Sequence, residues 1–274
     1  MTFRQRLFQI YSLIPENAFK NYLGKLYYQI LFTIQYLLIK EFKISIRKDN
    51  LFQAKIENVI YTFQINPLNE LLFAFKGYLK YYSPEKGDII IDGGSYPGEF
   101  TVLCSHLVGK KGKVIAFEPD PKNYLHVKSL LERNNLRNVI LLNKGLWDKD
   151  SLLKFHGKNT VGSTFIVSPG EDSHDIIEIP CVNLKTELNR LNIDRINFIK
   201  MDIEGAEINV LKGIKELLLK NKTHLSIASY HIVNEQMTCV SIENILRDYG
   251  YSVKTENLGN LTPGHDSITT FANN

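Results

Sequence analysis

Past residue 87 the chain alternates two rhythms. Short apolar runs bounded by glycine, asparagine or charge predict strands at 88–92, 113–118, 138–143, 196–201 and 223–229. Between them, apolar positions recur every three or four residues and predict helices over 98–108, 121–134, 184–191, 206–220 and 238–249. Strand and helix in strict succession call for a parallel sheet covered by helices on both faces. A strand at "YSVKT" and a final one in "SITTFAN" predict an antiparallel hairpin that completes the sheet. From Leu152 to Val182 the rhythm breaks into two strand-like runs, "LLKFH" and "IIEIPCV", around a polar loop containing "GSTF" and "SPGEDSHD". This stretch reads as an insertion bordering the pocket.

The front of the chain follows other rules. Phe19, Leu23, Leu26, Ile30, Ile34, Leu37 and Leu38 recur at helical spacing, with Tyr28, Phe32 and Tyr36 beside them, and alternation around "KDN" suggests a short hairpin. Residues 1–80 therefore read as an N-terminal extension and residues 81–274 as the main domain. Residues 1–80 carry 11 basic against 5 acidic side chains and 16 of the 30 aromatics, whereas residues 81–274 carry 22 against 24. Ile30–Ile39 is about half the length needed to span a bilayer, so residues 18–40 are expected to pack on the main domain, on a second copy of the chain, or on an anionic membrane surface. The basic residues form no stripe, and no nucleic-acid partner is expected. Three cysteines, Cys104, Cys181 and Cys239, are too few and too far apart for a disulfide framework or a C-x-x-C zinc site. With no signal-peptide pattern near Arg4 and Arg6, a cytoplasmic location is expected.

The chemistry concentrates in "GDIIIDGGSYPGEFTVL". An apolar strand delivers Asp92 into a turn of Gly93, Gly94 and Gly98, where a ligand can approach the main chain closely. Twenty-four residues after Gly94 the strand "KVIAF" ends at Glu118, followed by "PDP". A carboxylate there can accept hydrogen bonds from both hydroxyls of a ribose. The turn lacks the G-x-G-x-x-G of dinucleotide sites and the Gly-Lys-Ser/Thr of phosphate loops, and Glu99 would repel phosphate. It also misses the G-x-S-x-G nucleophile elbow, because Pro97 stands where the last glycine belongs. A nucleoside cofactor without phosphate, S-adenosylmethionine, fits these departures.

Four blocks in order, "DIIIDGGSYPGEFT", "VIAFEPDPKNY", "VILLNKGLWDKDS" and "INFIKMDIEGAEINVLKGI", resemble the FkbM-type S-adenosylmethionine-dependent methyltransferases over residues 70–255. The last block is the most specific, with Lys200, Asp202, Glu204, Gly205 and Glu207 between a strand and a helix. Tyr96 replaces the usual Asn of the first block, and "NLK" with Lys185 replaces the common "T-L-D". The resemblance implies a class I methyltransferase, a Rossmann-like α/β fold with a mostly parallel seven-stranded sheet, acting on a hydroxyl oxygen of a sugar, glycolipid or secondary metabolite. A nicotinamide-dependent oxidoreductase and a non-catalytic nucleoside-binding module stand as the alternatives.

Ligand sites in open α/β sheets gather at the carboxyl ends of strands, where Asp92, Gly94, Glu118, Asn143, Asp202 and His231 all fall. Gly94, Ser95 and Tyr96 form the turn that would face the methionine portion, with Asp92 beside it. Glu118 would take the ribose. Pro119 and Leu146 could enclose the adenine, and Asn143 either addresses polar atoms nearby or holds the following turn. For catalysis, Asp202 is the first candidate as base or substrate-orienting carboxylate, and Lys200 could assist it or form a structural ion pair with it. His231 ends a strand on the same edge and suits a proton acceptor, while Glu207 reads as a helix cap. Asp202 and Glu204 could supply oxygen ligands to a divalent ion, but no further acid is evident to complete a site, so no metal is expected.

Overall fold

The computed structural model describes residues 41–156, 176–259, 261 and 267–274. The expected helix over residues 18–40 and the polar loop of the insertion lie outside the described residues. The chain divides into two compact units, 1–66 and 67–274.

In the first unit, β1 (Phe42–Ile46), β2 (Phe52–Ile56) and β3 (Val59–Phe63) form an antiparallel meander in that order. Alternation places Phe42, Ala54, Ile56, Tyr61 and Phe63 out of water, so the hairpin read around "KDN" gains a third strand.

The second unit opens with α1 (Leu68–Phe73), which runs into a π-helical turn, Ala74–Tyr78. Its sheet comprises β4 (Ile89–Gly93), β5 (Lys113–Phe117), β6 (Val139–Leu142), β10 (Phe198–Met201), β11 (His224–Ala228), β14 (Ser252–Asn257) and β15 (Ile268–Asn273). The strand order is β14-β15-β11-β10-β4-β5-β6. Pairs β11–β10, β10–β4, β4–β5 and β5–β6 are parallel, and β15 is antiparallel to both neighbours. The Thr270 hydroxyl of β15 bridges Ser229 at 2.9 Å and Thr255 at 2.8 Å.

Near-continuous apolar runs such as Ile89–Ile91 mark strands buried on both faces. Ile91, Ile115, Phe117, Ile199, Met201, Leu225 and Ile227 form the spine of the core, each fully buried aliphatic side chain contributing about 1.5–3 kcal/mol. Helices α2 (Glu99–Val108), α3 (Pro121–Arg133), α4 (Leu184–Arg190), α5 (Glu207–Gly213), α6 (Lys215–Lys220) and α7 (Thr238–Asp248) cover the sheet. The "PDP" after Glu118 starts α3: Asp120 accepts from Lys122 N and Asn123 N with Pro121 in the first turn.

A second small sheet, β7 (Gly145–Trp147), β8 (Ser151–His156) and β9 (Ile176–Asn183), forms in the order β7-β9-β8. The single helix expected over 206–220 is divided at Ile214. There Asn183 Nδ2 donates to the carbonyls of Gly213 and Asp148, and a Cβ on Gly213 would fall 2.5 Å from Asp148 Cα. The Gly213 carbonyl thus serves the neighbouring loop, while Ile214 keeps helical bonds to Val210 and Leu218. A short hairpin that alternation missed, β12 (Ile232–Val233) and β13 (Gln236–Met237), follows His231. Among the described residues no helix is long and apolar enough to cross a membrane.

Candidate active site

Strand order reverses between β4 and β10, which opens a crevice at their carboxyl ends. On the β4 side, Gly94 has φ 75°, and a Cβ there would fall 2.0 Å from the Asp202 carbonyl oxygen. Only glycine lets the turn lie against the end of β10. Asp202 N donates to Gly93 O at 3.0 Å, so the two strand ends are pinned together.

Lys200 is the post beneath this turn. Its ammonium is 3.1 Å from Asp92 Oδ1 and donates to the carbonyls of Gly93 and Gly94. Asp92 also accepts from the Thr101 hydroxyl and is fully buried. Burial works against the lysine charge, but Asp92 and then Asp202 outweigh it and hold its pKa above the ordinary value. Lys200 therefore bonds to Asp92, not to Asp202, because parallel register places it directly across from Asp92.

The amides of the turn are also committed. Gly94 N and Ser95 N both donate to Phe117 O at 3.0 Å, and Tyr96 N donates to Glu118 Oε2 at 3.1 Å. What the turn still offers is the Ser95 hydroxyl, buried and without a partner among the described residues. Tyr96 turns its ring edge-on to His126, 5.3 Å away.

Glu118 is 4% exposed, its other oxygen accepting from Asp120 N at 3.1 Å. Burial pushes its pKa up to about 7, against the pull of the two amides. Such a carboxylate has acceptor capacity to spare for a vicinal diol. Together with the orphaned Ser95 hydroxyl it fits the ribose and neighbouring polar atoms of a nucleoside. Asn143 donates to the carbonyls of Glu118 and Pro119 at 2.8 and 3.0 Å, so its amide nitrogen holds the strand end on which Glu118 sits. Pro119 is half-buried beside it. Leu146, 2% exposed, belongs to the core cluster, and its Cδ1 lies 3.1 Å from where a Cβ on Gly93 would stand.

Glu99, in the first turn of α2, is also buried, with one oxygen unpartnered among the described residues. Burial, and then Glu70, push its pKa up to about 8. The folded chain thus holds a proton here that the unfolded chain has released between pH 4.5 and 8, and stability falls as pH rises through that window. Glu99→Gln is expected to leave the melting temperature unchanged near pH 4.5 and to stabilise the protein by about 1–3 kcal/mol at pH 8–9. Equal effects at both pH values in thermal melts would exclude the buried carboxyl as the cause.

The β10 side carries a denser polar cluster. Asp202, its side chain 27% exposed, accepts from Tyr78 Oη at 2.8 Å and Tyr230 Oη at 3.3 Å, with His231 Nε2 3.5 Å away. Glu204 at φ 56° and Gly205 at φ 97° form a left-handed bend after β10. This bend turns Glu207 back so that its carboxylate accepts from Ile203 N at 2.9 Å and stands 3.3 Å from His231 Nδ1. Glu204 Oε2 is 3.4 Å from Nε2. Burial opposes a charge on His231, but Glu204, Glu207 and Asp202 prevail and lift its pKa to about 10. Tyr78 and Glu207 were not among the residues singled out for the site. Tyr78 arrives 124 residues upstream of Asp202, and its π-helical turn leaves no period-3.6 signature to read.

The family described as the Methyltransferase FkbM domain matches residues 92–253. Methyltransferase 1 of Beauveria bassiana (strain ARSEF 2860) is 25% identical over 146 residues, 46% of this chain and 58% of its own length. The hexuronic acid methyltransferase AglP of Haloferax volcanii is 29% identical over 148 residues, 49% of this chain and 53% of its own. The chain thus spans little more than half the length of these curated relatives. Among solved structures, methyltransferase FkbM from Methylobacillus flagellatus KT shares the fold with a TM-score of 0.50, at 21% identity over 69% of this chain and 44% of that one.

Proposed function

The chain belongs to the FkbM methyltransferase family, and from that membership and the polar crevice we propose that it methylates a hydroxyl oxygen of a sugar, a glycolipid or a related secondary metabolite. Its cofactor is S-adenosylmethionine, which when bound supplies an already electrophilic methyl group. The chain's own residues must hold an acceptor oxygen in line and exclude water. Glu118 accepts the ribose hydroxyls and Ser95 lies in the turn beside them. Lys200 and Asp92 fix that turn.

The observation that carries the oxygen reading is Asp202. Its partly exposed carboxylate stands at the end of β10, against the glycine turn, bracketed by two phenols and an imidazole. There it orients an acceptor hydroxyl and draws off its proton as the oxygen is alkylated. Tyr78 and Tyr230 set the direction of the carboxylate. The named substrate class of AglP, a hexuronic acid, supports a sugar acceptor.

Calorimetric titration of S-adenosylhomocysteine, with NAD as control, tests the cofactor half in the wild type and in Glu118→Ala. Micromolar binding of the former alone, weakened at least tenfold in the variant, is expected. The acceptor half is tested by transfer of a labelled methyl group to hexuronic acid glycosides and their deoxy analogues. Equal transfer to analogues without the free hydroxyl would sink the oxygen reading.

Glu118 adds a pH dependence. Ribose hydroxyls donate to the carboxylate form, so below its pKa of about 7 the cofactor must expel a proton to bind. Affinity for S-adenosylhomocysteine is expected to be flat above pH 7 and to fall by up to about tenfold per pH unit beneath it. Glu118→Gln should flatten that profile; a wild-type profile level from pH 5.5 to 8 would remove the ionisation from cofactor binding.

A further inference from the structure

We infer that the cluster at the carboxyl ends of β10 and β11 is a binding site for one divalent metal ion, held by His231 Nε2, Asp202 Oδ1 and Glu204 Oε2, with Glu207 fixing the imidazole from its other side. No metal is expected from the sequence, because no further acid is evident beside Asp202 and Glu204. The fold supplies Glu207, which the left-handed bend at Glu204 and Gly205 carries beneath His231.

Ligand atoms of Asp202, Glu207 and His231 lie within 4.8 Å of one another, and Glu204 enters the set through its Oε2, 3.4 Å from His231 Nε2. His231 is 8% exposed, yet among the described residues neither ring nitrogen makes a directed hydrogen bond; the carboxylates stand off at 3.3–3.5 Å. That spacing matches neighbouring ligands around an ion with bonds of about 2.1 Å, which stand roughly 3–3.5 Å apart. Three carboxylates face one imidazole, and the nearby Lys200 ammonium is bound to Asp92 and two carbonyls. Carboxylate oxygens on both sides of one imidazole are hard donors suited to a cation. A carboxylate on Nδ1 orients a histidine whose Nε2 binds metal, the role assigned to Glu207.

Asp202 and Glu204 have side chains 27% and 25% exposed, so the far side of the ion faces the crevice. There it would hold an acceptor hydroxyl, and Asp202 would act on that hydroxyl through the ion; this last step rests on the methyltransferase reading, whereas the binding site does not. One imidazole with carboxylate oxygens favours a first-row ion that accepts both donor types, such as Mn²⁺.

The test is titration of chelator-treated protein with MnCl₂, following free Mn²⁺ by electron paramagnetic resonance. One ion per chain is expected to bind, at least 100-fold more weakly in His231→Ala and Asp202→Asn and about 10–100-fold more weakly in Glu207→Gln. Circular dichroism and retained binding of S-adenosylhomocysteine identify folded variants. Mn²⁺ left free at millimolar concentration, or bound equally by wild type and the His231 and Asp202 variants, overturns the site. If S-adenosylhomocysteine still binds in that case, the metal inference alone falls; if neither binds, the cofactor reading falls with it.

Discussion

Lys200→Met is expected to destabilise the protein by about 3–5 kcal/mol, because it leaves the fully buried Asp92 carboxylate without its counter-charge. Methionine fills nearly the same volume, so the loss is electrostatic and not a cavity. It also takes away the lysine donor from the part-buried Gly94 carbonyl, whereas the Gly93 carbonyl keeps Asp202 N. Urea denaturation measures the effect directly. The double variant Lys200→Met/Asp92→Asn should recover most of the loss, since removing both charges is far less costly than removing one. A single variant within 1 kcal/mol of wild type, on the same scale, would show that the pair does not hold the turn.

Asp202→Asn is expected to lower kcat by about 10²–10⁴-fold while leaving the affinity for S-adenosylhomocysteine unchanged. The amide keeps the shape and can still accept from Tyr78, but it neither takes a proton nor carries charge to an acceptor hydroxyl. Methyl transfer within twofold of wild type would remove Asp202 from the mechanism. A parallel loss of cofactor affinity would place its role in the glycine turn, which its backbone touches at Gly93 and Gly94.

The parallel core was legible because its cues are local. Apolar runs ending in polar residues place β4, β5, β10 and β11 within a residue or two, and the glycines with Asp92 and Glu118 mark the crevice. Partners were less legible. Lys200 and Asp202 share a face of β10 by alternation, yet Lys200 bonds across to β4, and only strand register decides that. Leu146 follows Asn143 closely in sequence, but it belongs to a three-residue strand that turns into the core. Glu207 reads as a cap from its place at the start of α5. Its approach to His231 depends on two left-handed residues, and although Gly205 suits that conformation, no propensity announces it at Glu204.

The placement of β15 has a consequence for synthesis on the ribosome. Chains emerge from the N-terminal end, and β4, β5, β6, β10 and β11 can pair in the order of their appearance. Strand β14 then emerges before its neighbour, because β15, with which it pairs among the described residues, follows it in the chain. Until residues 268–273 are made, β11 and β14 each present an open edge of unpaired amides and carbonyls, and the hydroxyls of Ser229 and Thr255 lack the Thr270 that joins them. A nascent chain paused after β14 is therefore the species most exposed to pairing with another chain.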